Sequence, residues 1–393
     1  MKYTVLFVLM ITLNLGCSTN WKNVIKDGNI GVENFKESIA IEVHRGLIFV
    51  PVEINGEKYN FLFDTGAPTS ISEQLQEKYK FKVVSESHIV DTDQNRKKVD
   101  WVKIDSLKIG TIPFLDQVAF AGDFDANSIL KCLNIDGIIG SNLMQFCNWT
   151  VDQDNNVLSF YSSEHLKPSK NSVSLPFQSN SQYSMHIKLP IGKATVNGVL
   201  VDYGSNGALA LNNKIFSFLK KENIIHNTYN EIGEKQSGIV GNAVPINREI
   251  CLSDSVQLTN QPLNDVLIKS GNNVSIGNEI LSRFVVTIDW ENKQLHFERG
   301  RSFQKEFPIT GFSLKSDDNQ KVFIQSITEG TMAYQQGLQP DMQVIQIDTL
   351  NFEEDDNFCD FIFYKSPYSY EIEVLDSSGM KKKIWIEKTL LKE

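Results

Sequence analysis

The sequence predicts a mainly β chain built from two copies of one lobe and followed by a smaller β unit. Three observations carry that expectation. From about Ile39 to Phe297 the chain is a succession of short β-branched and aromatic runs punctuated by Gly, Asn, Asp and Pro, which is the pattern of strands and turns. Within that stretch the sequence repeats itself. After Arg301 the pattern changes, and 393 residues are too many for one small core. The expected division is a leader at 1–17, a first lobe at 35–165, a second at 170–300 and a C-terminal unit at 305–390.

The repeat is read from two pairs of segments. VPVEINGEKYNFLFDTGAPTSIS (Val50 to Ser72) is echoed by LPIGKATVNGVLVDYGSNGALAL (Leu189 to Leu211): an apolar strand, an Asn-Gly turn, an apolar strand, then Asp-x-Gly and a small-residue loop. IDGIIGSNLMQFCNWTVDQDNNVLSF (Ile135 to Phe160) is echoed by VSIGNEILSRFVVTIDWENKQLHF (Val274 to Phe297). Gly140 follows Asp64 by 76 positions and Gly277 follows Asp202 by 75; Asp152 follows Asp64 by 88 and Asp289 follows Asp202 by 87. Asp-Thr-Gly alone is weak evidence, since ordinary residue usage yields roughly one chance match per ten chains of this length. The composite of strand, Asp loop and downstream apolar-Gly element is much harder to meet by accident. Helical periodicity is brief, at Glu73 to Tyr79 and at Lys214 to Glu222, with Asn213 the expected N-cap of the second.

The N-terminus, MKYTVLFVLMITLNLGCSTN, has Lys2, an apolar run from Val5 to Leu13 and Gly16 before Cys17. That run is too short to span a bilayer and reads as an export leader. Its LNLGC ending resembles a bacterial lipobox, although Asn14 stands where an apolar residue is usual. The resemblance implies lipidation of Cys17 and an exported, membrane-anchored protein facing the periplasm or the cell exterior. Membrane contact is then expected through that lipid alone, since no later segment reaches 18 uninterrupted apolar residues. A net charge of −10 with no Lys/Arg block offers no field for nucleic acid. The scatter of Cys132, Cys147, Cys251 and Cys359 favours buried free thiols over a disulfide framework, with Cys132 and Cys147 the one pair to consider.

FDTGA at Phe63 to Ala67 and Ile138-Ile139-Gly140 downstream resemble the aspartic peptidases of the pepsin and retropepsin type, over about Ile39 to Arg299. The resemblance implies a two-lobed acid-protease fold in a single chain, a catalytic Asp64/Asp202 pair, peptide or protein substrates, no cofactor and no metal. With both lobes in one chain, a monomer is expected to hold a complete site. The chemistry suits the residue type. Two carboxyl groups about 3 Å apart share one proton, so one can accept a proton from water while the other donates to a scissile carbonyl. In the first lobe the supporting loop is Thr65, Gly66 and Ala67; in the second it is Tyr203, Gly204 and Ser205, the Ser205 hydroxyl being expected on the outer carboxylate oxygen. Tyr203 departs from the family, which has Thr or Ser there to reach across to the partner loop. The competing reading is therefore a catalytically degenerate, peptide-binding envelope lipoprotein on the same scaffold. Candidate flaps are Ile89 to Trp101 and Glu231 to Ile246.

The run from Thr310 to Asp348 resembles a PDZ domain. The resemblance places Gly311 and Phe312 in the carboxylate-binding loop, a short helix at Thr331 to Gln336, and a closing hairpin at Asp376 to Gly379. It implies a groove for a protein C-terminus, added as a strand to the sheet edge. Asp341-Met342 replaces the usual Gly-Asp. Other chemistries are missing: the six histidines form no HExxH or close pair, and no G-x-S-x-G elbow, P-loop or Rossmann fingerprint is present.

Overall fold

The computed structural model describes residues 20–236, 238–259, 262–299, 308–353, 357–364, 367–376 and 378–392. The leader and Cys17 lie outside the described residues. The fold is mainly β, and its elements follow from local rules.

In the first lobe β1 (Leu47–Ile54) and β2 (Glu57–Asp64) form a hairpin around Asn55-Gly56, with φ of 52° and 84°. Asn-Gly favours such a turn because positive φ at both positions matches the strand twist. β3 (Ser70–Ser72) runs into α1 (Glu73–Tyr79), where Ser72 Oγ accepts the Leu75 N–H at 3.2 Å. Next come β4 (Lys82–Val90), β5 (Arg96–Ile109), β6 (Ile112–Gly122), α2 (Ser128–Leu133) and β7 (Gly137–Gly140). β7 inserts between β2 and β3. It is parallel to β2, with Gly140 opposite Asp64, and antiparallel to β3, while β3 runs parallel to β6. β8 (Asn148–Asp152) and β9 (Val157–Tyr161) follow.

The second lobe repeats this order with β10 (Met185–Ile191), β11 (Ala194–Val201), β12 (Leu209–Asn212), α3 (Asn213–Lys221), β13 (Tyr229–Lys235), β14 (Val244–Ser253), β15 (Val266–Gly271) and β16 (Ser275–Ile276). β16 again inserts, parallel to β11 and antiparallel to β12, and β12 runs parallel to β15. Two details differ from the sequence reading. The hairpin turn is Gly192-Lys193, and Asn197-Gly198 form a bulge in β11, two residues against Lys188 alone, with Gly198 at φ 70°. The bulge absorbs the extra residue that shifts Asp202 relative to Asp64. The cap of α3 is Asn212 rather than Asn213: its extended backbone lets Oδ1 reach the Ile215 N–H at 2.9 Å.

β17 (Phe284–Asp289) and β18 (Gln294–Arg299) join the lobes. β8 and β17 pair antiparallel at the centre of one sheet, with Thr150 opposite Thr287 and their hydroxyls 2.8 Å apart. These two threonines are separated by 137 positions, as are Gly140 and Gly277, so equivalent residues of the two copies meet at a local twofold. One apolar core runs through both lobes around Phe63, Trp149, Phe160, Ile187, Val201 and Ile288.

The C-terminal unit contains β19 (Phe312–Ser316), β20 (Val322–Thr328), β21 (Gln343–Ile347), α4 (Asn357–Phe363), β22 (Ser369–Leu375) and β23 (Lys381–Glu387). Asp341 takes φ 65°, a conformation glycine adopts freely and aspartate tolerates. Leu314, Ile324 and Ile347 pack with Leu47, Phe49, Leu62 and Ile138 of the first lobe. That contact explains why β1 is buried at four successive positions, Leu47 to Val50, instead of alternating. β20 also adds to β13 of the second lobe, Glu231 to Gly233 opposite Thr328 to Ser326.

The cysteine expectation is corrected. Cys132 on α2 is bonded to Cys359 on α4 across 227 positions, and Cys147 and Cys251 are buried free thiols. Folding, not proximity in sequence, brings the partners together. Among the described residues no helix is long and apolar enough to cross a membrane, and no three His, Cys, Asp or Glu side chains are grouped to hold a metal.

Candidate active site

Asp64 ends β2, and Asp202 directly follows β11. Each is anchored by the inserted strand beside it, through the Gly140–Asp64 pairing in one lobe and the Asp202 N–H to Ile276 carbonyl bond (2.9 Å) in the other. Asp64 Oδ1 accepts the N–H groups of Gly66 (2.7 Å) and Ala67 (3.2 Å), and Asp202 Oδ1 accepts that of Gly204 (3.0 Å).

The structure brings these two loops together. Each carboxyl group lies against the other loop's glycine. A Cβ on Gly204 would sit 2.3 Å from Asp64 Cγ, and one on Gly66 would sit 2.7 Å from Asp202 Oδ1. No side chain fits at either position. Burial raises both acids above the ordinary carboxylate range. Asp202 is pushed well up, by burial and then by the Asp64 charge; for Asp64 burial is opposed by the Gly66 and Ala67 amides. Asp64 accepts two amide N–H groups and Asp202 one, so the negative charge of the pair is better supported on Asp64 and the shared proton on Asp202.

Thr65 ties the loops. Its Oγ1 donates to the Val201 carbonyl (2.6 Å) and accepts the Tyr203 N–H (3.0 Å), all in the buried interior. The reverse bridge, from the second loop to the first, is absent because Tyr203 has no hydroxyl at Cβ. Its ring does not enter the space between the carboxylates. Neighbouring residues on an extended chain face opposite ways, and Tyr203 lies fully buried in the inter-lobe core, edge-on to Phe63 with centroids 5.6 Å apart. Asn278 substitutes from behind: its Nδ2 donates to the Tyr203 carbonyl (2.6 Å), while its Oδ1 accepts from Gln153 of the first lobe (3.1 Å). Asn278 and Gln153 were missed in the sequence. The signal was the Asn within two residues of each landmark glycine, Gly140-Ser141-Asn142 and Gly277-Asn278.

The Tyr203 hydroxyl has no hydrogen-bond partner in the structure, and burial raises its pKa. A buried, unpaired hydroxyl costs about 1–3 kcal/mol. Tyr203→Phe is accordingly expected to melt no lower than wild type in urea, and Tyr203→Thr to lose about 3 kcal/mol through the cavity it opens. A loss above about 1 kcal/mol for Tyr203→Phe would mean the hydroxyl is paired.

Ser205 is a correction. Its Oγ accepts the Gly207 N–H at 3.4 Å instead of bonding the Asp202 carboxylate, and lies on the Gly277 side of the loop, where a Cβ on Gly277 would sit 2.9 Å from it. Ala67 is half-buried beside the core shared with the C-terminal unit.

The two hairpins singled out as flaps meet tip to tip. β4 and β5 turn at Asp91 to Asn95, where Asp91 Oδ1 accepts the N–H groups of Asp93 and Asn95, both at 2.9 Å. From the second lobe, Lys235 makes an ion pair with Asp93, and the Asn242 carbonyl accepts Asn95 Nδ2 at 3.2 Å. The Gly238 carbonyl, at the tip between β13 and β14, accepts Asn127 Nδ2 of the first lobe at 3.2 Å. In the C-terminal unit, Gly311 has φ 82° and precedes β19, which begins at Phe312.

Residues 50–143 match the family model described as aspartyl protease. That span runs from within β1 to just beyond β7, contains Asp64 and ends before Asp202, so it supports a protease-like scaffold from the first lobe. No curated protein matches the chain. Among solved structures, the chain is similar to basic 7S globulin from soybean, at 9% identity and a TM-score of 0.43, over 68% of this chain and 95% of that one.

Proposed function

We propose that the chain is an aspartic endopeptidase whose Asp64 and Asp202 activate a water between two lobes of one polypeptide. The reading rests on one observation above all: the two Asp loops of the repeat converge until each carboxyl group lies against the other loop's glycine, while Tyr203 is buried in the core beside Phe63. Asp64, ionised, takes the proton of the attacking water; Asp202, protonated, donates to the oxygen of the scissile carbonyl. The tetrahedral gem-diol then collapses as the proton gained by Asp64 passes to the leaving amine and one of the gem-diol hydroxyls returns a proton to Asp202, which restores the starting state of the pair. Closure of the Asp91–Asn95 and 236–243 tips would hold an extended peptide and exclude water. Gly66 and Gly204 keep the carboxylates close enough to share the proton.

The C-terminal unit is proposed to take an extended peptide or protein C-terminus along β19, with Gly311 and Phe312 at its start. Among the described residues β19 is paired on one edge only, by β20. A peptide held there would be tethered near the cleft and so raised in local concentration. An anchor at Cys17 would keep the enzyme on the membrane outside the cytoplasm. The second reading, a peptide-binding protein without catalysis, is favoured by one feature: the missing half of the bridge between the loops at Tyr203.

The test is cleavage of a denatured protein mixture by the chain from Ser18 onward between pH 3 and 8. The expected result is new peptide termini with highest rates where Asp64 is ionised and Asp202 protonated, falling at higher pH as Asp202 ionises. No cleavage at any pH leaves the binding reading.

A further inference from the structure

The second-lobe hairpin is held from two sides, and one covalent bond closes the loop around it. On one side, β13 is hydrogen-bonded to β20 of the C-terminal unit, with Asn230 and Glu329 paired beyond the ladder (Glu329 N–H to the Asn230 carbonyl, 2.8 Å; Asn230 Nδ2 to Glu329 Oε2, 2.9 Å). Lys315 of β19 adds a bond to Glu234 at 2.8 Å. On the other side, the hairpin tip rests on the first-lobe segment that leads into α2. Asn127 Nδ2 donates to the Gly238 carbonyl and Ser128 Oγ donates to Gln236 Oε1 at 3.5 Å; a Cβ on Gly241 would lie 2.4 Å from the Ala126 carbonyl. Cys132, on α2, is bonded to Cys359, on α4 of the C-terminal unit. Hairpin, C-terminal unit, disulfide and α2 thus form a closed ring.

We infer that the Cys132–Cys359 disulfide is a redox latch on the Asp64/Asp202 cleft. The hairpin cannot lift from α2 while it stays paired to β20, because the disulfide fixes the C-terminal unit to α2. With the disulfide open, only non-covalent contacts hold the hairpin and the C-terminal unit to the first lobe: the apolar packing on Leu47, Phe49, Leu62 and Ile138, Ile239 beside Trp101 and Phe120, and the polar contacts at the tip, so the two can part from α2 together at a cost that the covalent bond otherwise forbids. Both cysteines are half-buried, so a small reductant has access. The step is thiol–disulfide exchange with a dithiol: its two thiols supply two electrons and two protons, the S–S bond becomes two cysteine thiols, and the dithiol leaves as its own disulfide. Cys147 and Cys251 are fully interior and stand outside the ring.

The inference rests on the peptidase reading only for its activity arm. Hydrogen exchange is followed by mass spectrometry on the chain from Ser18, oxidised and after native reduction by a dithiol, with Cys132→Ser, Cys359→Ser and a Cys251→Ser control. Reduction and either latch variant are expected to speed exchange across 229–246 by about tenfold or more, leaving β1 and β2 protected. Re-oxidation of the wild type restores protection, which keeps the test valid if a variant folds poorly. Turnover of a short peptide is expected to rise with the exchange. Faster exchange with no cleavage in either redox state upholds the latch and counts against the peptidase. Unchanged protection of 229–246 with two new thiols titrated overturns the latch, as does a loss of protection that extends equally through β1 and β2.

Discussion

Asp64→Asn and Asp202→Asn are each expected to lose peptide cleavage by about 10³-fold or more, and each is expected to melt higher than the wild type at pH 7. The loss follows from the division of labour. General acid–base transfer contributes about 10²–10⁴ in rate, and neither asparagine can take a proton from water or return one. Because one proton serves both carboxyl groups, either substitution removes the whole exchange, so the double variant should be no worse than the singles. The gain in stability follows from linkage. Burial raises Asp202 well above its ordinary value, and the Asp64 charge beside it raises it further. A carboxyl raised by folding contributes its stability fully below the unfolded pKa, near 3.9, and loses it as pH climbs through the folded value. At pH 7 the wild type therefore carries a cost that asparagine lacks. A rise of roughly 2 °C in Tm at pH 7, shrinking toward pH 4, is the expected signature. Variants that are silent but melt no higher would place the carboxylates apart in solution, and variants as active as wild type would remove Asp64 and Asp202 from the chemistry.

Glu231→Gln is expected to cost about 3 kcal/mol, with the junction between the second lobe and the C-terminal unit melting first. Glu231 is buried on β13, where both oxygens face Arg248 at 2.9 and 3.0 Å, Ser326 Oγ of β20 donates at 3.0 Å, and Lys269 stands at 3.7 Å. Burial alone would raise its pKa, but Lys269 and Arg248 outweigh that and hold it down to about 2. The sign is opposite to that of the Asp pair: this contribution is complete above the unfolded value near 4.3 and fades as pH falls toward 2. The penalty of Glu231→Gln should thus shrink in acid. Glu249→Gln is the comparison, since its pair with the half-exposed Lys220 is screened by solvent and worth at most about 1 kcal/mol. Equal losses for the two variants in urea melts would show that the buried network has no special weight.

Local chemistry was legible where a residue decides its own geometry. Asn55-Gly56 specified its turn, α1 occupies the expected Glu73 to Tyr79, and the matched Asp-to-Gly spacing marked two copies of one strand plan. Where two local signals competed, sequence misjudged. Asn197-Gly198 resembles a hairpin turn as closely as Asn55-Gly56 does, but β10 and β11 already turn at Gly192-Lys193, so the dipeptide became a bulge. Asn212 and Asn213 are equally good caps in composition, and only the path of β12 chose between them.

The sequence by itself determined that the chain carries two copies of one strand plan and that each copy ends a strand in Asp-x-Gly, because pattern and turn chemistry act over a few residues. Only the tertiary structure decided how those copies are used. It put Thr150 against Thr287, which sets the two Asp loops face to face; it turned the Tyr203 ring into the core beside Phe63; and it bonded Cys132 to Cys359, 227 positions apart. Contacts of that kind depend on which buried faces fit together once water is excluded, and no local run of residues contains that information.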